Sequence, residues 1–111
     1  MKTDRLASAD ASLDFVVVVR IEPGRRERQH EVFVGIGKRG ENSAQRYLHA
    51  EYTYLLSGKL DWRIRWESPE RVHLELLEDA RPIAAMTFVR DRESGRFGEL
   101  AGEGGWRKEA V

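Results

Sequence analysis

The chain has 111 residues, with 19 Lys plus Arg against 19 Asp plus Glu, so its formal net charge is zero. That length suits one domain, and the balance excludes both a strongly basic nucleic-acid module and an acidic solvating tail. The absence of cysteine excludes disulfides, thiol catalysis and Cys-based zinc sites, while a hydrophobic fraction of 41 % is enough for a packed core.

Residues 1–12 carry no sustained pattern and are expected to form a mobile arm. Residues 13–22 read as a strand. The run Phe15-Val16-Val17-Val18-Val19 is apolar on both faces, as in a central strand covered on two sides. It is also the longest unbroken apolar run, far short of the ~20 residues a membrane helix needs. No apolar stretch follows Lys2 and Arg5, so no secretory signal is visible and a cytoplasmic location is expected.

Pro23-Gly24 stops the first strand, and Arg25 to His30 read as a polar loop. Val32, Val34 and Ile36 alternate in a second strand, with Gly35, Gly37 and Gly40 breaking its regularity. Residues 43–57 fit two patterns. A helix would run from a Ser43 cap to a Gly58 stop. A strand would turn Leu48, Ala50, Tyr52, Tyr54 and Leu56 one way and His49, Glu51 and Thr53 the other.

The next segment favours the strand. Leu60, Trp62, Ile64 and Trp66 alternate with Asp61, Arg63, Arg65 and Glu67, giving one dry and one wet face. After a turn at Glu67–Glu70, Val72, Leu74 and Leu76 continue the dry face. Pairing Trp66 with Val72 sets Ile64 against Leu74 and Trp62 against Leu76. On the wet face it sets Arg63 against Glu75, Arg65 against His73 and Glu67 against Arg71, a register favoured by opposite charges. Extended back through Ser57-Gly58-Lys59, the same register lines up Glu51, Arg65 and His73, and likewise His49, Glu67 and Arg71. A further strand at 83–89 opposes Ala84, Met86 and Phe88 to Leu76, Leu74 and Val72. Phe97–Leu100 is at most a short last strand, and residues 101–111 read as a Gly-rich tail.

These segments predict an all-β fold: about seven antiparallel strands in a sandwich or partly open barrel, mainly a meander, over residues 13–100. The alternative is α+β, with a helix at 43–57 packed on the sheet.

No residue pattern commits the chain to catalysis. There is no HExxH, no GxSxG and no singled-out carboxylate pair. Gly35-Ile36-Gly37-Lys38-Arg39-Gly40 resembles neither Walker nor dinucleotide spacing, and reads as a connection between strands. Arg25, Arg26 and Arg28, or Arg63 and Arg65, could touch nucleic acid, but nearby glutamates dilute them and nucleic acid is not the expected partner.

Two groups remain as candidates. Leu77, Ile83, Ala85 and Val89 fall on the wet side of the meander and form a candidate protein-contact patch. His49, Glu51, Arg65, Glu67 and His73 form a candidate polar cluster. Imidazole and carboxylate could together hold a metal there, although an ordinary charged ladder explains them and neither metal nor cofactor is expected. The expectation is a small non-catalytic interaction module acting through a sheet surface, on a protein partner or on itself. The alternative is a small-molecule carrier or small enzyme with an interior lined by Tyr52, Tyr54, Trp62 and Trp66.

Overall fold

A computed structural model describes residues 1–40 and 45–100. The described residues form eight strands and no helix. These are β1 (Lys2–Ala7), β2 (Leu13–Ile21), β3 (Arg28–Lys38), β4 (Leu48–Leu56), β5 (Leu60–Ser68), β6 (Arg71–Glu78), β7 (Arg81–Arg90) and β8 (Phe97–Glu99). They make two four-stranded antiparallel sheets, β1-β2-β3-β4 and β5-β6-β7-β8, which pack as a sandwich of two meanders.

One face of each sheet carries the core. Phe15, Val17 and Val19 of β2, with Val32, Val34 and Ile36 of β3, are buried against Val72, Leu74 and Leu76 of β6 and Met86 and Phe88 of β7. Rings from the two sheets meet in that layer. Phe15 lies 5.9 Å from Phe88 and 6.5 Å, edge-on, from Trp66, which in turn meets Phe97 at 6.0 Å. Each such pair contributes about 0.5–1.5 kcal/mol beyond the area it buries.

The open edges are tied by side chains. Along one side, the indole N–H of Trp62 donates to Asp4 Oδ2 at 3.0 Å and that of Trp66 to the Leu6 carbonyl at 2.9 Å, joining β5 to β1. Along the other, the Tyr52 hydroxyl donates to Glu99 at 2.6 Å and the Phe97 amide to the Tyr47 carbonyl at 2.7 Å, joining β4 to β8. Both Trp62 and Trp66 thus bury a ring and keep a polar handle satisfied.

Several expectations from the sequence are met and several are corrected. Residues 48–56 are strand, so the helical alternative fails there; residues 43 and 44 lie outside the described residues. From Trp62 to Trp66 the β5–β6 register is the one the alternation implied, with Arg63 against Glu75 and Arg65 against His73, and β6–β7 likewise sets Leu74 against Met86. The expected Glu67–Arg71 pair is not formed, because a shift after Trp66 leaves Glu67 as an inserted residue and sets Ser68 against Arg71. Lys2–Ala7 is not an irregular arm but edge strand β1. Arg28 to His30 and Gly35 to Gly37 belong to β3 rather than to loops. The expected tail at 101–111 lies outside the described residues.

The largest correction is at Ser57-Gly58-Lys59, which does not close a hairpin. It carries the chain from one sheet to the other, so β4 and β5 are not paired. The reason is a set of hydrogen bonds from the link to the end of β6. The Gly58 amide donates to Glu78 at 2.8 Å, the Lys59 amide to Asp79 Oδ1 at 2.9 Å, and the Asp79 amide to the Lys59 carbonyl at 2.9 Å. The link is therefore bound to the β6–β7 turn instead of folding back on β4. A Cβ at Gly58 would run into the Asp79 carboxylate, so a larger residue there would have to push that carboxylate off the link.

Tyr54 is the largest fully buried side chain, and its hydroxyl has no hydrogen-bond partner among the described residues. Burial, with the Glu99 charge second, pushes its pKa up to about 12 from 10.0. A raised folded value means the unfolded chain ionises first, so stability holds below pH 10 and falls as pH rises toward about 12. Tyr54→Phe is expected to raise stability near neutral pH by about 1 kcal/mol, by removing an unsatisfied polar group. It should also flatten the alkaline decline. Urea unfolding at neutral and alkaline pH measures both, and a lower midpoint in the variant would show that the hydroxyl is satisfied.

Candidate functional site

The outer face of β5–β6–β7 carries three cross-strand rows. Arg63, Glu75 and Ala85 form the first, Arg65, His73 and Thr87 the second, and Arg71 with Val89 the third. Long ionic side chains on β5 and β6 stand beside Ala85 and Thr87 on β7. The step from large to small residues leaves an open hollow of about 580 Å³ floored by Ala85 and Thr87 and walled by Arg63, Arg65, His73 and Glu75.

A chain of hydrogen bonds fixes its floor. His73 Nε2 lies 2.6 Å from Glu67 Oε2, and His73 Nδ1 lies 2.8 Å from Thr87 Oγ1. An ionised Glu67 can only accept, so Nε2 carries the proton and the Thr87 hydroxyl donates to Nδ1. The order carboxylate, imidazole, hydroxyl is that of a nucleophile with its base and orienting acid. Thr87, however, is only 3 % exposed, so the chain of bonds holds the imidazole in place rather than presenting a nucleophile.

The cations of the wall are differently engaged. Arg71 pairs with Glu67 at 3.3 Å and Arg63 meets Glu75 only at 3.5 Å, with 74 % of its side chain exposed. Arg65 is exposed and makes neither a hydrogen bond nor an ion pair among the described residues.

The two candidate groups from the sequence are redistributed by the fold. Arg65, Glu67 and His73 come together, and Ala85 joins them. His49 and Glu51 do not, because unpaired β4 and β5 put them on the outer face of the other sheet, opposite Gly35 and Phe33. There His49 Nε2 lies 3.1 Å from Glu51 Oε1. The expected rows Glu51–Arg65–His73 and His49–Glu67–Arg71 are thus broken between sheets, and no group of three metal-ligating side chains forms among the described residues. The apolar patch also changes. A register shift after Leu76 pairs Leu77 with Pro82 and leaves Ile83 as an inserted residue, which packs against the core. Leu77 is 4 % exposed, so Ala85 and Val89 are the half-buried members left at the surface. Of the interior aromatics, Tyr54 is buried and Tyr52, Trp62 and Trp66 pack half-buried against the core.

Sequence reasoning missed the hollow itself. Its signal was the pairing of β7's small residues Ala85 and Thr87 with long side chains across the strand. No helix among the described residues is long and apolar enough to cross a membrane. No protein-family model, curated protein or solved structure matches this chain.

The His73 hydrogen bond, with help from the Arg71 charge, holds the Glu67 carboxyl below its ordinary 4.5. A depressed folded value stabilises the protein above the ordinary pKa, and the contribution is lost as pH falls through the lowered one. Carbon-detected NMR titration should therefore place the Glu67 midpoint below 4.5, and His73→Ala should move it upward. An unmoved midpoint in that variant would show that the bond does not govern the carboxylate.

Proposed function

We propose that this chain is a small non-catalytic binding module whose working surface is the outer face of β5–β7. Its partner is a protein segment presenting a carboxylate beside a small side chain. The observation that carries this reading is Arg65: an exposed guanidinium without an acceptor among the described residues, at the wall of a hollow floored by Ala85 and Thr87. A guanidinium offers a planar fork of donors suited to a carboxylate. The small floor residues leave room for the group that carries it. Arg63, loosely held by Glu75, supplies a second positive charge on the same side, and the fixed imidazole of His73 keeps the floor rigid at little entropic expense. Glu67 and Glu75 limit the positive field, which favours one acidic group over a run of them.

The test is titration of the ¹⁵N-labelled full chain with a capped tetrapeptide containing one central glutamate, and with its glutamine counterpart. Amide shifts are expected at Arg63, Arg65, His73 and Thr87 with the glutamate peptide, with much smaller ones for the glutamine peptide. Arg65→Ala should weaken binding about tenfold, the scale of one hydrogen bond to a charged group, with an unchanged melting temperature because Arg65 is exposed. Equal shifts from both peptides, or shifts gathered elsewhere, would overturn the reading. So would concentration-dependent shifts on this face without peptide, which would make a second copy the partner.

A further inference from the structure

At one end of the sandwich the two sheets part around a second cavity, of about 500 Å³. It lies between β1, β3, the Ser57–Lys59 link and the β6–β7 turn. Lys2, Arg28 and Lys59 stand around it, with Asp79 the acidic residue in its lining. Lys59 reaches Asp61 only at 3.9 Å, and neither Lys2 nor Arg28 makes a side-chain ion pair among the described residues. Among the lining side chains, three cations stand against one carboxylate.

His30 lines the same cavity and is the unexpected residue there, since it is only 1 % exposed. Its Nδ1 lies 2.8 Å from the Arg28 carbonyl. A carbonyl only accepts, so Nδ1 carries a proton, and in the singly protonated ring Nε2 offers a lone pair. No described residue donates to that lone pair. Nε2 is not among the buried atoms left without a partner, so it opens on the cavity that His30 lines, where a ligand's donor can reach it.

We propose that this mouth is a binding site for a small organic anion bearing a hydroxyl group. Lys2, Arg28 and Lys59 attract and hold the anionic head, and the ligand's hydroxyl donates to His30 Nε2. Carboxylate and phosphate heads satisfy the same three cations, so the shared chemistry is an anion with a neighbouring hydroxyl. Gly58 belongs to the site's frame, because its missing Cβ lets the Asp79 carboxylate close against the link at the cavity wall. The site lies away from the β5–β7 hollow and does not rest on that surface's role.

The experiment follows the His30 ring nitrogens by long-range ¹H–¹⁵N NMR while the full chain is titrated with glycerol 3-phosphate, glycerate, inorganic phosphate and propionate. Glycerol 3-phosphate, glycerate or both should bind in the millimolar range and move the Nε2 resonance upfield, the direction of hydrogen-bond acceptance. The one that binds more tightly identifies the head group. Propionate, and phosphate where the ester is the better ligand, should bind about tenfold more weakly for want of the hydroxyl contact. Arg28→Gln, a change at an exposed side chain, should reduce affinity about tenfold without altering the melting temperature. His30→Phe should abolish the preference for the hydroxylated ligand. Absence of any Nε2 shift, equal binding by hydroxylated and plain anions, or undiminished affinity in Arg28→Gln would each overturn the proposal. Should His30→Phe fail to fold, the Arg28→Gln result and the ligand comparison still decide it.

Discussion

Each four-stranded sheet has one continuous apolar face, and neither can keep it in water. A small domain without cysteine draws most of its stability from that burial, at about 25 cal/mol for each Å² of apolar surface removed from solvent. The contact of Phe15 with Phe88 and Trp66 is where the two faces lock. Everything else is arranged around it: the half-buried tryptophans that satisfy their N–H groups on β1, the Tyr52–Glu99 bond that holds β8 beside β4, and the ionic rows on the outer face of β5 and β6. Sheet edges left bare would invite pairing with other chains. Here each facing pair of edges is bridged by side-chain or short backbone bonds.

The faces were legible in the sequence and the neighbours only partly so. Alternation from Leu60 to Leu76 assigns each residue to its side because strand geometry has a period of two, and the charge pairs across β5 and β6 then fix the register. The same alternation runs through Tyr52 and Tyr54 into Trp62. It reports that these side chains point inward, but not whether β4 hydrogen-bonds to β5 or lies in the other sheet, since both arrangements leave the parity unchanged. What decides is the grip of Glu78 and Asp79 on the amides of Gly58 and Lys59. Those partners lie about twenty positions away in the chain, beyond any local pattern.

The same limit explains the candidate surface. Arg65, Glu67 and His73 were recoverable because they sit within one hairpin. His49 and Glu51 were drawn in only by the assumed β4–β5 pairing, and they left when it failed. Ile83 was assigned outward by counting, and a single inserted residue after Leu76 was enough to turn it to the core. A bulge reverses every parity argument that crosses it. Ala85 kept its side because the register beyond the bulge is the one that Leu74 and Met86 establish.

β1 shows how far tertiary context overrides local signal. Lys2, Asp4 and Leu6 face the same side as Val19, Val17 and Phe15, yet two of the three are charged and no window of sequence would name them a strand. The segment is held because β2 has an unpaired edge that needs hydrogen-bond partners, and because Trp62 and Trp66 need acceptors at the rim of the core. Asp4 and the Leu6 carbonyl provide them. A polar edge strand placed by what its neighbours lack also sets the geometry of the cationic mouth, since Lys2 enters that cavity only because β1 is paired in register with β2. The feature least visible in the sequence thus helps to build the second binding site proposed for the molecule.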